Sequence, residues 1–318
     1  MSDNMTDVLL VGAGYMSKEY ARVLDGLGRS FQVVGRGEDS AKVFEQETGH
    51  AVIRGGIEKY LEENTSNLPS VCIIAVWAEQ HAEVCKMLME HGAKRILMEK
   101  PGSFCRSDMK ELRSMSEARG VEVRIAYNRR FYASVRAARK GIVEDGGVTS
   151  FNFEFTEWLH KVPRFEKNGE CVWKLFLGNS SHVLDTAFFL GGRPEEISCF
   201  SKAFGIDPDY RTAFVGAGRT ETGALFNYQA NWEAPGRWSV ELLTRKHRFI
   251  FRPMEKLQVQ QLQSIKVEEA EVDYSLDEAY KPGVYLETKA FLEHDENYAD
   301  ICTLEEQIRN VEIYEKFI

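Results

Sequence analysis

Asp7-Val8-Leu9-Leu10-Val11-Gly12-Ala13-Gly14-Tyr15-Met16-Ser17 decides the fold of this chain. Val8 to Val11 is an apolar run without polar alternation, the pattern of a short strand buried on both faces. It runs directly into a G-x-G-x-x-S turn, and a helical pattern follows over Tyr15–Leu27. Gly12 permits a tight turn, and Gly14 lets the backbone approach a pyrophosphate. The amides of Tyr15 and Met16 would then lie at the positive end of the helix, where an anion is stabilised. Ser17 stands where a third Gly or Ala is usual and is small enough for close packing. A methyltransferase-type loop for S-adenosylmethionine begins in a similar way, so the loop alone leaves both ligands open.

The rest of the first 127 residues favours a dinucleotide. Phe31–Gly35, Val71–Val76, Arg95–Glu99 and Val121–Ala126 read as further buried strands, and helices are expected near Ser40–Thr48, Gln80–His91 and Ser107–Arg119. Gly28, Gly49, Gly92 and Gly120 follow these helices, where a left-handed cap is wanted. Strand–helix alternation with right-handed crossovers predicts a doubly wound parallel sheet over residues 1–127. After Tyr127 the pattern changes. A helix around Tyr132–Val143 precedes Val148–Glu157, where Phe151, Phe153 and Phe155 alternate with polar residues, as in a half-buried antiparallel strand. Glu196–Ala203, Arg211–Gly216, Thr222–Asn231, Arg237–Leu243 and His247–Phe251 are similar, with helices near Ser181–Leu190 and Leu304–Phe317. Residues 128–318 are therefore expected to form an α+β domain for substrate, with the C-terminal helix able to pack back on the first domain.

Composition narrows the function classes. The chain has 318 residues, 43% hydrophobic and 28% charged, with a net charge of -9. That charge, without a basic block, argues against nucleic acid as a partner. Cys72, Cys85, Cys105, Cys171, Cys199 and Cys302 are scattered, with no C-x-x-C and no metal-type spacing. Cys72 and Cys85 fall in apolar contexts and read as small core residues. The polar, acid-bearing start is unlike a secretory signal, and the apolar run Val71–Ala78 is far below the ~18 residues that span a bilayer. A cytoplasmic, soluble protein without a metal centre is the expectation.

Several residues are candidates for chemistry. Lys100 ends a predicted buried strand, where ligands of a parallel sheet bind. A desolvated lysine beside a cationic ring loses its proton more easily, which suits an acid/base; the alternative is that Lys100 only anchors a ribose. Glu99 would oppose that shift if it pointed inward, so it is expected to point elsewhere. The second strand ends in Gly35 followed by Arg36, where an acid would serve NAD. Arginine there can pair with a 2′-phosphate, which favours NADP over NAD, unless Glu38 or Asp39 serves the ribose instead. Val76 is placed against the cofactor at the end of the central strand, and Trp77 would sit over the cofactor or close the cleft, while His81 reads as structural. Trp158, His160, Arg164 and Trp173 suit a sugar face or an anionic group, or equally a packed loop.

Taken together, the glycine loop, Glu99-Lys100-Pro101, Tyr127-Asn128-Arg129-Arg130-Phe131 and His182 closely resemble the Gfo/Idh/MocA oxidoreductases. The resemblance runs over the whole chain in order. It implies a Rossmann domain followed by an open-faced, mainly antiparallel sheet, often used for homo-oligomers. It implies an NAD(P)-dependent enzyme acting on the hydroxyl or carbonyl of a sugar, cyclitol or sugar nucleotide. It further implies that Lys100 and His182 line the site, that Asn128 lies near the nicotinamide and that Lys100-Pro101 is cis; Glu99, next to Lys100, is counted with the cofactor-binding residues. The chain departs from the family at Gly178, where many members carry Asp. Asn179 could offer neutral hydrogen bonds instead, and Tyr127 and Arg130 could reach substrate. Asp185 is expected to satisfy core polar groups rather than orient His182. A non-catalytic cofactor-binding regulator and a glycosidase using transient oxidation remain alternatives.

Overall fold

A computed structural model of the chain describes residues 6–64, 68–159, 169–204 and 209–318. The chain divides into two compact units, Met1–Asn128 with Ala279–Arg309, and Arg129–Glu278 with Asn310–Ile318. Residues 279–309 thus group with the first unit, whereas the sequence suggests a return only for the last helix.

The first unit alternates strands and helices in the order β1 (Val8–Val11), α1 (Tyr15–Gly26), β2 (Phe31–Gly35), α2 (Glu38–Thr48), β3 (Val52–Arg54) and α3 (Gly56–Glu63). It continues with β4 (Val71–Ile74), α4 (His81–Glu90), β5 (Arg95–Glu99), α5 (Arg106–Arg119) and β6 (Glu122–Ala126). Among the described residues these strands lie in the order β6-β5-β4-β1-β2-β3, all parallel. Every residue of β1 is buried, as an apolar strand covered on both faces requires. Cys72 and Cys85 are fully buried, as their contexts predict. The strand order reverses between β1 and β4, so their carboxyl ends open the crevice where an open α/β sheet binds ligands. The sequence does not announce β3 and α3. β3 has only three residues, two of them exposed, so it carries no buried run to read.

The second unit carries α6 (Ala133–Glu144), β7 (Ser150–Glu154), α7 (Gly169–Leu175), α8 (Ser181–Gly191), β8 (Pro194–Ala203), β9 (Arg211–Thr220) and β10 (Leu225–Asn231). After these come β11 (Ser239–Leu243), β12 (His247–Phe251), β13 (Gln258–Gln261) and β14 (Val267–Glu269). Its described strands form a sheet in the order β14-β13-β12-β11-β7-β10-β9-β8. Only the β7–β10 pair is parallel. Alternation decides which face is covered. Phe151, Phe153 and Phe155 are buried with Phe214, Phe226 and Tyr228, and Phe317 stacks on Tyr228 at 4.3 Å between ring centres. Phe188 of α8 meets Phe153 edge-on at 5.4 Å, which seats the helix on this face. Phe200, Val215 and Leu225 point the other way and are 71%, 53% and 61% exposed.

Candidate functional site

In the first unit the glycine loop is set by close contacts. Gly12 has φ +122°, and a β-carbon there would meet the Ala75 carbonyl oxygen at 2.3 Å. Its amide donates to Val34 O at 2.8 Å, and the Ser17 hydroxyl donates to Ala75 O at 3.3 Å. Gly14 differs: a β-carbon there would meet nothing within 4 Å, and Gly14 stands just ahead of α1. A cradle that a side chain would fill, at a helix N-terminus, fits a pyrophosphate. A contrast between two variants is expected. Gly12→Ala carries backbone strain of roughly 1–3 kcal/mol besides the collision, and thermal melts should fall by several degrees. Gly14→Ala should leave the melt unchanged while weakening nicotinamide dinucleotides in a fluorescence titration.

Around this cradle the structure places the other candidates of the first unit. Tyr15 is 61% exposed, and the Lys281 ammonium lies 5.1 Å from its ring centre. Trp77, just past β4, is 82% exposed, a large apolar surface at the crevice edge. His81 is buried, its Nε2 3.1 Å from Val76 O, and burial pushes its pKa down to about 4. It is a neutral structural imidazole at ordinary pH, as expected. Arg36 is exposed, and its Nη2 lies 2.5 Å from Glu58 Oε1. Glu38 is bound by Arg54 at 2.9 Å.

Glu99 corrects an expectation. Its carboxyl turns inward, accepting a hydrogen bond from the Tyr20 hydroxyl at 2.8 Å. Burial raises its pKa, opposed by the charges of Lys100 and Lys281 and by that bond. The charges of Glu99 and Lys100 therefore act on one another. The Lys100–Pro101 bond is cis. Tyr127, expected to reach substrate, is fully buried, and its hydroxyl accepts from Gln307 Nε2 at 3.1 Å. Asn128 is buried and donates from Nδ2 to Pro282 O at 2.9 Å. Lys281, beside both Tyr15 and Glu99, is a residue that sequence reasoning misses. Its signal is a second Lys-Pro step, Lys281-Pro282, far along the chain.

The second unit builds the other half of the candidate set. A π-helical turn, Phe176–Ser180, leads into α8, whose second residue is His182. His182 is 8% exposed, and its ring centre lies 6.2 Å from that of Trp238. Asp185 is buried against Arg130, which bonds it through Nε at 2.9 Å and Nη2 at 2.5 Å. The expected core role of Asp185 is what the structure has. Arg130, expected near substrate, is buried with its guanidinium paired to Asp185. Asn179, placed toward substrate by the sequence reading, donates from Nδ2 to Glu157 Oε2 at 2.8 Å. Trp158 is 45% exposed, with the Arg237 guanidinium 4.8 Å from its ring centre. Trp173 packs on Phe176. His160 and Arg164 lie outside the described residues.

Glu157 is a residue that no sequence motif singles out. It follows β7 and is 3% exposed, and it accepts hydrogen bonds from Ser180, Asn179 and Trp238. Burial pushes its pKa up to about 7, opposed by those bonds and by the charge of Arg237. A carboxyl group thus stands beside the turn ahead of His182 although the turn itself has none.

Comparison with known proteins agrees with the nucleotide-binding fold of the first unit. Residues 6–127 match the model of an oxidoreductase family with an NAD-binding Rossmann fold. The uncharacterized oxidoreductase YhhX of Escherichia coli (strain K12) is 27% identical over 162 residues, covering 51% of this chain and 44% of that protein. The chain thus spans less than half of this relative's length. The WlbA dehydrogenase of Bordetella pertussis, solved with NADH and UDP-GlcNAcA, shares the fold with a TM-score of 0.73. It is 16% identical, over 100% of this chain and 95% of that one. Biliverdin reductase of Synechocystis sp. PCC 6803, solved with biliverdin and NADP+, matches with a TM-score of 0.72 and 15% identity, over 98% of each chain.

Proposed function

We propose that the chain, whose residues 6–127 match an oxidoreductase family with an NAD-binding Rossmann fold, is an NAD(P)-dependent dehydrogenase or reductase of the Gfo/Idh/MocA family. Its substrate is the hydroxyl or carbonyl of a sugar, cyclitol or sugar nucleotide. One observation carries the reading: the Gly12–Gly14 cradle and Lys100 sit at the carboxyl edge of one parallel sheet, where ligands of this architecture bind. The carbohydrate class is what the family resemblance implies, and the UDP-GlcNAcA bound by the Bordetella WlbA dehydrogenase supports it. Biliverdin in the Synechocystis relative is a reminder that the fold does not choose the substrate.

When bound, the nicotinamide supplies the hydride acceptor or donor. Gly12, Gly14, Tyr15 and Met16 hold the pyrophosphate, and Val76, Trp77, Glu99 and Asn128 shape the walls around the rings. Lys100 takes the hydroxyl proton at its Nζ during oxidation and returns it to the carbonyl oxygen during reduction. His182 hydrogen-bonds the substrate oxygen, and Trp158 offers an aromatic face to the sugar. The exposed face carrying Phe200, Val215 and Leu225 is the surface through which copies of the chain would associate. Incubation with oxidised cofactor and a panel of sugar nucleotides and free sugars tests the activity. Growth of reduced-nicotinamide absorbance with at least one of them is expected; binding of cofactor without turnover of any would contradict it.

NADP is favoured over NAD because Arg36 follows β2 directly, while Glu38 is held by Arg54. Glu58 competes with a 2′-phosphate for the Arg36 guanidinium. Ligand at about a hundred times its dissociation constant stabilises the native state by ~2.7 kcal/mol. At equal concentration NADP should therefore raise the melting temperature more than NAD. Arg36→Ala should equalise the two shifts, and Glu58→Gln should widen the difference; equal shifts in the unaltered protein would remove the role given to Arg36.

A further inference from the structure

Glu157 is surrounded by donors. Its Oε1 accepts from the Ser180 hydroxyl at 2.6 Å and from Trp238 Nε1 at 3.1 Å. Its Oε2 accepts from Asn179 Nδ2 at 2.8 Å, with Arg237 Nη1 at 3.7 Å. That arrangement suits a carboxylate, which only accepts. Two of the donors belong to the π-helical turn that leads into α8, and the third is the indole beside the His182 ring. The Trp238 ring is in turn flanked by two guanidinium groups, Arg237 at 4.3 Å and Arg129 at 4.7 Å from its centre.

We propose that Glu157 is a positioning residue for His182, holding through Ser180, Asn179 and Trp238 both the turn ahead of α8 and the indole beside the imidazole. The proposal rests on the oxidoreductase reading and deepens it, by naming what sets the geometry of its second-unit residue. A proton on Glu157 must be donated to a neighbour. The Trp238 indole cannot accept it, so the Ser180 hydroxyl or the Asn179 amide has to turn around. Either reversal loosens the turn and changes how His182 is presented. Among the described residues, the charged and titratable groups facing this network are Arg237, Arg129 and His182, with Asp185 on the same helix as His182 and paired to Arg130. Burial brings the proton exchange of Glu157 to about 7, so the change falls in the neutral range.

The test uses the full-length protein labelled in its indole and imidazole nitrogens. The Trp238 Nε1 signal is identified by its loss in Trp238→Phe, and the His182 signals by their loss in His182→Asn. On titration, Trp238 and His182 are expected to share an inflection near neutral pH. Glu157→Gln should remove it from both signals, and Ser180→Ala, which deprives the carboxylate of a donor, should move it upward. With any substrate that is turned over, kcat should lose the same inflection in Glu157→Gln and fall by as much as about a hundredfold, with KM little changed. Glu157→Asp, which keeps the acid, should recover part of both. If His182 does not share the Trp238 inflection, or keeps it in Glu157→Gln, the proposal is wrong. Should Glu157→Gln not fold, the upward shift in Ser180→Ala decides alone, and its absence overturns the proposal. Failure of every substrate to react would count against the oxidoreductase reading, while the shared inflection would still decide the role of Glu157.

Discussion

Lys100→Met is expected to lower kcat by roughly a hundredfold to ten-thousandfold, the range that a positioned acid or base supplies. Methionine keeps much of the length and the apolar stem, so dinucleotide affinity in a fluorescence titration should stay within a few-fold. Lys100→Arg separates charge from proton transfer. Arginine remains protonated at any pH the protein tolerates, so it can anchor an anion but cannot take a proton from a hydroxyl. A cofactor-anchoring lysine would be replaced by arginine with little loss of turnover; an acid/base lysine would not. Both variants are expected to be nearly inactive while binding cofactor. If Arg restores activity, or if Met weakens cofactor binding as much as it slows turnover, the assigned role of Lys100 fails.

The second large effect is on stability. Arg130→Met leaves the Asp185 carboxylate, 1% exposed in its side chain, without its buried guanidinium. Removing one partner of a buried ion pair costs about 3–5 kcal/mol. The melting temperature should drop by roughly ten degrees. Loss of the Arg130 guanidinium from the Phe189 ring, 4.9 Å away, adds to this. Replacing both members, Arg130→Met with Asp185→Leu, should recover most of the loss, because a well-packed apolar pair often matches a buried ion pair. A substrate-binding arginine behaves in the opposite way: its loss raises KM and spares the melt. Calorimetry of the two variants beside the unaltered protein separates these outcomes.

How much of the molecule is readable from its residues depends on what each residue touches. The run Val8–Val11 and the glycines after it announce themselves, because a strand buried on both faces must be apolar and a turn against Ala75 O must lack a side chain. The Phe151-Phe153-Phe155 alternation reveals one covered face for the same reason. β13, with the polar sequence Gln258-Val259-Gln260-Gln261 next to the outermost strand β14, has no such pattern to read. The candidate site is legible only where a local motif carries it, as at Lys100-Pro101 and His182. Glu157 draws its partners from positions 179, 180 and 238, and Arg130 meets a residue 55 positions away. No local spacing encodes such pairings. The orientation of Glu99 is hidden for a related reason. Its inward turn is set by Tyr20 on α1, which the strand's own pattern does not contain.

The central claim is that hydride passes between a carbinol carbon and the nicotinamide ring on this protein. It is tested most directly by supplying NADP+ with sugars and sugar nucleotides deuterated at their carbinol carbons, and reading the reduced cofactor by mass spectrometry. Deuterium is predicted in the nicotinamide ring with at least one substrate, and none with Lys100→Met. Unlabelled cofactor throughout, or release of a leaving group with no net change in cofactor redox state, would contradict it.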